Sequence, residues 1–231
     1  GIGSAIRQWV APGISPTYSG YTCWRTVLED VETPDVMAEV LGRGKRVGVV
    51  PLSGRRAYLY LTLNAAESQP PPWNDRLEGF RERYAEFGGV AGEMIQRIES
   101  TSRLIHNDLS EVVTPRWHVG RIGLLGDAAH ALTPNLGQGA AMAIEDAYVL
   151  AECLADGSEP GDALAAFEVR RRPRVTWLQT TSRRVGSIGQ WKGRTATALR
   201  DVAMAWTPAS LTKGMLRRLA EGSPAAHSAR R

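Results

Sequence analysis

The residues best suited to hold a ligand are an acidic side chain followed by two closely spaced glycines: Asp127, then Gly137 and Gly139. Asp127 offers a carboxylate that accepts hydrogen bonds from sugar or polyol hydroxyls. The glycines remove Cβ atoms where a flat ligand would approach the backbone. Pro134, Gln138, Ala140 and Ala141 stand beside them. Helical spacing from about Gln138 to Ala155 sets a helix N-terminus at the same place. Its free N–H groups and positive end favour an electron-rich group.

The elements that must position these residues are legible in the same stretch. Ile122, Leu124 and Leu125 form a short apolar run bounded by Gly126-Asp127, which predicts a buried strand ending at Asp127. A loop with Pro134, Asn135, Gly137 and Gly139 follows, then the helix, which Asp156-Gly157 should end. Ala143, Ala147 and Ala151 recur every four residues, predicting a small-residue face that sits close to a sheet. A lone Gly-Asp pair would signal no more than a strand–loop–helix connection.

The run GLLGDAAHALTPNLGQGAAMAIEDA is longer than that. It closely resembles the second flavin-contacting motif of the FAD-dependent aromatic-ring monooxygenases, which include p-hydroxybenzoate and salicylate hydroxylases and zeaxanthin epoxidase. About twenty consecutive positions fit, which makes the match specific. The resemblance implies an α/β fold of mixed α+β character: a partial FAD-binding domain, a mixed β-sheet substrate domain and C-terminal helices. It implies that Asp127 meets the FAD ribityl chain. The backbone of Gly137, Gln138, Gly139, Ala140 and Ala141 would meet the isoalloxazine and nearby phosphate, with Pro134 bordering the reaction site. Gly1-Ile2-Gly3-Ser4-Ala5-Ile6-Arg7 resembles the family's first pyridine-nucleotide and flavin motif from its glycine onward, where Arg7 would face phosphates. By residue type alone, Ser4 reads as a helix cap and Arg7 as a surface charge.

The implied activity is hydroxylation or epoxidation of an aromatic or polyene small molecule, with FAD, NADH or NADPH, and O₂. No side chain is assigned as a catalytic acid or base. His118 and His130 invite that role, but no carboxylate-plus-nucleophile arrangement stands near either in the sequence, and both are taken as structural. The family opens with a βαβ unit carrying Gly-x-Gly-x-x-Gly. Gly42-Arg43-Gly44 lacks the third glycine and sits in a hairpin context. The expectation is therefore a C-terminal part that lacks this N-terminal polypeptide. The alternative is a catalytically inactive fragment, or one half of a split flavoprotein that needs an upstream chain to hold FAD.

With 43% hydrophobic and 23% charged residues, the chain has a globular balance. No apolar run is long enough to span a membrane, and GIGSAIRQWV is not a signal peptide. Cys23 and Cys153 lack metal-ligand spacing, so no metal is expected, and the pair reads as reduced thiols in a cytoplasmic protein. Through residue 160 there are 14 basic against 20 acidic residues, a net of −6; beyond it 14 against 4, a net of +10. The basic end reads as a solvated helical surface, or as an anion-binding module over residues 170–231. No aromatic–basic pattern accompanies it, so nucleic acid is not expected.

Along the chain, residues 18–28 predict a strand, and Thr33-Pro34-Asp35 a turn or helix start. Residues 47–52 and 57–63 predict two strands joined by a hairpin at Ser53-Gly54-Arg55-Arg56. In the second strand Tyr58, Tyr60, Thr62 and Asn64 alternate with Leu59, Leu61 and Leu63, giving one polar and one packed face. In the resembling family such a sheet walls the substrate pocket, so Tyr58 and Tyr60 are substrate-contact candidates. Gln69-Pro70-Pro71-Pro72 predicts a stiff linker, residues 74–88 and 90–99 solvent-facing helices, and residues 103–113 a returning strand. Residues 162–181 predict a helix that Pro173 kinks or interrupts, and residues 195–206 and 209–221 two amphipathic helices. The expected domains are 1–14, a remnant of the FAD-binding domain; 15–114, the substrate domain; 115–160, the flavin strand–loop–helix; 161–222, C-terminal helices; and 223–231, a disordered tail.

Overall fold

The computed structural model describes residues 1–69, 76–155 and 157–221. The expectations on Pro70-Pro71-Pro72, on Asp156 and on residues 223–231 lie outside the described residues. In chain order the first elements are α1 (Arg7–Val10), β1 (Thr17–Leu28), β2 (Ala38–Leu41), β3 (Lys45–Leu52), β4 (Arg56–Asn64), α2 (Leu77–Arg83), α3 (Gly89–Gln96) and β5 (Ile105–Glu111). Then follow β6 (His118–Val119), β7 (Ile122–Gly123), α4 (Asp127–His130), α5 (Gly139–Ala155), α6 (Pro160–Gly189), α7 (Arg194–Ala205) and α8 (Ala209–Glu221). The chain folds as two compact units. One comprises Tyr18–Leu109 and Ser187–Asp201; the other comprises Gly1–Thr17, Ser110–Gly186 and the segment from Val202 onward.

The first of these units is built on a five-stranded sheet of order β2-β3-β4-β1-β5. The pairs β2–β3, β3–β4 and β1–β4 are antiparallel. The β3–β4 hairpin closes at Leu52↔Arg56, as its turn residues predict. Gly42-Arg43-Gly44 lies in the β2–β3 hairpin, with Gly42 N–H donating to Lys45 O at 2.8 Å. Around Thr33-Pro34-Asp35 the chain bends without starting a helix. Period-two alternation in β4 sends Leu59, Leu61 and Leu63 into the core with Trp24, Val47 and Val49.

Helices α2 and α3 are not solvent-facing throughout, as their alternating charges suggested. Phe80, Tyr84, Phe87, Ala91, Met94 and Ile95 are buried in the same core. The sheet's apolar face must be covered, and these helical stripes cover it. Trp24 is the pivot: its ring meets Phe80 edge-on at 5.8 Å and stacks on His106 at 4.7 Å. Tyr84 keeps its hydroxyl satisfied by donating to Thr62 O at 3.2 Å.

On the opposite face, Tyr60 reaches across two neighbouring strands. It pairs with Gly48 of β3, and its hydroxyl donates to Glu39 Oε1 of β2 at 2.9 Å. A Cβ on Gly48 would come within 2.0 Å of the Tyr60 ring, so only glycine lets the ring lie there. The segment after Ser187 packs on the far end of the same face. Gln190 Nε2 donates to Thr62 Oγ1 and Asn64 Nδ2 donates to Gln190 O, at 2.8 and 2.9 Å.

The other unit packs α5 and α6 around Val10, Trp117, Leu124, Met142, Phe167 and Leu178. Here three expectations need correction. The predicted buried strand is only the two-residue β7, with Ile122 and Leu125 exposed and Leu124 alone buried. Its one packed side is taken up by α6, since a Cβ on Gly123 would meet Leu164 at 2.4 Å. On α5 the inward face is Met142, Glu145, Asp146, Val149 and Cys153 rather than the alanine stripe; Ala147 and Ala151 are exposed. Finally, α6 runs through Pro173 without interruption. The arginines flanking that proline are bonded to other elements, which offsets the hydrogen bond that proline removes.

Replacing Gly48 by valine should displace Tyr60 and lower stability by about 1–3 kcal/mol, the usual cost of overpacking. Thermal unfolding followed by tyrosine and tryptophan fluorescence checks this, and Gly48→Val combined with Tyr60→Ala should recover part of the loss.

Candidate functional site

The stretch from Gly126 to Ala141 is held from beneath by one carboxylate. Gly126 has φ +55° and ψ −143°, a conformation closed to residues with a Cβ, and a Cβ there would press on Ala143 at 3.1 Å. Its N–H donates to Asp146 Oδ2 at 2.8 Å. The same oxygen meets His130 Nε2 at 2.6 Å, while Asp146 Oδ1 accepts from Arg171 Nε at 2.8 Å. Arg171 also donates to Glu145 Oε2 at 2.6 Å, and Arg174 grips both Glu145 oxygens at 2.8 Å. The network ties α4, α5 and α6 together. Asp146, His130 and Arg171 are all buried. Burial pushes the Asp146 carboxyl upward. The donors from His130, Arg171 and Gly126 outweigh it and hold the group below the usual aspartate range.

Arg171 and Arg174 thus form an internal clamp, while Arg170, Arg172 and Arg183 stay partly or largely exposed. Arg170, Arg171, Arg172, Arg174 and Arg183 each pair with a carboxylate. Each histidine has a carboxylate partner. His118 Nδ1 sits 2.9 Å from Glu168 Oε2, and Glu168 also accepts from Arg172 and from Trp117 N–H. These partners lie 16 to 50 residues away in sequence, so no local pattern announces them.

Above this base, Asp127 is the first residue of α4 rather than a strand end, and it is exposed. Polar side chains of α6 pin the connecting loop. Gln179 Nε2 donates to Val112 O and Ala131 O at 2.7 and 3.1 Å, and Ser182 Oγ donates to Thr133 O at 2.6 Å. Asn135 Nδ2 donates to Thr133 Oγ1 and Ser182 O at 2.8 and 2.9 Å. Sequence reading missed Gln179 and Ser182, because they lie inside a helix with no motif of its own. Pro134 opens a single 3₁₀ turn capped by Gly137 in the left-handed region at φ +63°. Pro134, Gly137 and Ala140 are exposed, with Gln138, Gly139 and Ala141 partly so.

Arg7 is not the surface charge its residue type suggests. It is buried, and its guanidinium donates to Ile2 O at 2.7 Å, Ala128 O at 3.3 Å and Ile14 O at 3.4 Å. Ser4 Oγ accepts from Arg7 N–H at 3.3 Å, but the residue that precedes α1 as its cap is Ile6, not the expected Ser4. No ion pair to Arg7 exists among the described residues, so its charge rests on carbonyl dipoles alone. Tyr58 and Tyr60 belong to the sheet unit. Tyr60's hydroxyl is committed to Glu39.

A flavin fits these residues on two observations. A Cβ built on Gly137 or Gly139 meets nothing within 4 Å, so the backbone at the start of α5 faces open space. That start carries the unpaired first N–H groups of a 17-residue helix, and the buried cation of Arg7 belongs to the same unit.

Comparison with known proteins agrees. The family described as FAD binding domain matches residues 13–182. The 2-heptyl-3-hydroxy-4(1H)-quinolone synthase of Pseudomonas aeruginosa is 38% identical over 96% of this chain and 59% of its own length. The aurachin C monooxygenase/isomerase of Stigmatella aurantiaca is 39% identical over 88% of this chain and 54% of its own. Klebsiella pneumoniae HpxO, solved with FAD and uric acid, superimposes with a TM-score of 0.86 at 26% identity, covering 97% of this chain and 59% of that one. The chain therefore spans little more than half the length of these proteins.

Asp146→Asn should cost about 3–5 kcal/mol at neutral pH, because it strips the charge that Arg171 and His130 face. The sign of the pH dependence follows from the lowered carboxyl. The anion's contribution is complete above about pH 4, where an unfolded aspartate titrates, and is lost as pH falls below that through the folded value. Melting temperature against pH should fall steeply on the acid side in the parent and more gently in Asp146→Asn.

Proposed function

The chain belongs to the FAD binding domain family, and on that premise we propose that it is the flavin- and substrate-contacting part of an FAD-dependent monooxygenase. Its reaction is hydroxylation or epoxidation of an aromatic or polyene small molecule, using NADH or NADPH and O₂. The observation that carries this reading is the opening of the α5 N-terminus onto Gly137 and Gly139, whose Cβ positions are empty.

FAD, held by these residues, would supply the redox chemistry that links NADH or NADPH to O₂. The chain's own residues bind and orient. Asp127 accepts hydrogen bonds from ribityl hydroxyls. The N–H groups of Gln138, Gly139, Ala140 and Ala141 favour the electron-rich ring and a phosphate, Gly137, whose own N–H donates to Pro134 O at 3.0 Å, lends open backbone beside them, and Arg7 adds a fixed positive charge. Pro134, rigid at the head of its turn, borders the reacting ring. Tyr58 and Tyr60 form part of the wall that receives the substrate, which excludes water from it. The names of the quinolone synthase and of the uric acid complex support a ring heterocycle as substrate. Two free, buried cysteines support a reducing, cytoplasmic setting. Among the described residues no helix is long and apolar enough to cross a membrane.

Titration of the purified chain with FAD, followed by the flavin's visible absorbance and by tryptophan quenching, tests the proposal. Saturable binding should weaken roughly tenfold or more in Asp127→Ala, the scale of one or two lost hydrogen bonds to a charged group. An untitratable mixture would sink the reading for this chain and favour one that needs an upstream polypeptide.

A further inference from the structure

The turn that joins α7 to α8 carries apolar side chains left open to solvent. Every described side chain from Val202 to Leu211 is exposed. Val202, Met204, Trp206 and Leu211 among them are large and apolar. Trp206, at 83%, is the most exposed large apolar side chain among the described residues. Scattered apolar residues on a surface are ordinary, whereas a cluster along one turn marks a surface that meets something.

The backbone of the turn is satisfied locally, so the cluster is presented outward in one shape. Trp206 N–H donates to Val202 O and Thr207 N–H to Met204 O, both at 3.1 Å. Leu211 N–H donates to Pro208 O at 3.0 Å, and Thr207 Oγ1 to Ala203 O at 2.8 Å. Helix α8 then returns to the body of its unit. Met215 and Leu219, four residues apart, form its partly buried side, and Leu219 packs against the core. Arg174 donates to the carbonyls of Arg218 and Leu219, and the Arg218 guanidinium lies over the Trp177 ring at 4.3 Å. The end of α8 is thereby tied to α6, while its start stands in solvent with the turn. Lys213 and Arg217, also four apart, lie on the other side of α8 and are exposed. Residues 202–220 contain Lys213, Arg217 and Arg218 and no acidic side chain.

We propose that this turn docks on the surface of an anionic lipid bilayer. Trp206 and its apolar neighbours enter the headgroup boundary, and Lys213 and Arg217 face the lipid phosphates. An indole suits that boundary, because its ring is apolar and its N–H donates to headgroup oxygens. The basic side of α8 supplies an attraction that an apolar turn alone lacks. Together they have the make-up of a segment that lies on a membrane without crossing it. The same charge argues against a second copy as the occupant, since two such faces would bring like charges together. The inference is independent of flavin binding.

Co-sedimentation of the purified chain with vesicles tests it, using phosphatidylcholine alone and a phosphatidylcholine–phosphatidylglycerol mixture. The chain should bind the mixed vesicles roughly tenfold or more tighter than the neutral ones, since each basic residue at the surface contributes about fivefold. Added salt should weaken that binding. Inorganic phosphate should release no more protein than chloride at the same ionic strength, which separates a bilayer from a free anion. Trp206→Ser, and Lys213→Gln combined with Arg217→Gln, should each weaken binding by roughly tenfold. Melting temperatures should stay at the parent's value, because all three side chains are exposed. Absence of binding, equal binding to both vesicles, or full binding by Trp206→Ser overturns the proposal. So does a lipid-free dimer that Trp206→Ser dissociates in analytical ultracentrifugation, which would make the turn a contact between copies. Should Trp206→Ser fail to fold, Leu211→Ser takes its place, and unchanged vesicle binding in that variant overturns the proposal.

Discussion

The fully buried carboxylate of Asp146 is the constraint on which the flavin-facing unit depends. An aspartate taken out of water is stable only if its oxygens are all but fully bonded. Here they accept from Gly126 N–H, His130 and Arg171, which come from a turn and from two different helices. Each partner is thereby fixed in the position that the carboxylate requires. Gly126 must adopt its left-handed conformation, α4 must start at Asp127, and α6 must stay helical through Pro173 so that Arg171 can reach inward.

Rigid support below contrasts with openness above. Gln179 and Ser182 satisfy the Ala131 and Thr133 carbonyls on the loop's inner side, and Asn135 donates back to Ser182 O of α6, so that the loop's outer side is free to meet something else. A loop whose polar groups were unsatisfied on both sides would be costly to hold in one conformation. The division of labour is physical: side chains from α6 spend their hydrogen bonds on loop carbonyls, and the N–H groups that open α5 remain available for a ligand.

The sheet unit solves a different problem with the same economy of residues. One face is apolar and is closed by Trp24, Phe80 and Tyr84 with α2 and α3. The other face is polar, and on it nearly every side chain is engaged by a neighbour: Tyr60 by Glu39, Arg46 by Glu39, Thr62 and Asn64 by Gln190.

Local pattern in the sequence determined a good part of this. Period-two alternation in residues 57–63 gave β4 its two faces, Ser53-Gly54-Arg55-Arg56 placed the hairpin, and the long match around Gly126 to Ala147 identified the family. What it could not determine were contacts between residues far apart in the chain. The Asp146–His130–Arg171 network, the internal pairing of Arg171 and Arg174 and the buried state of Arg7 are invisible to periodicity, because an arginine has the same local preferences whether it faces water or a carboxylate. The inward face of α5 was misread for a related reason: alanines are small enough for either side of a helix, and only packing against α6 decided that Asp146 and Glu145 would point inward. Tertiary structure settles such cases because burial is a property of the partner as well as of the residue.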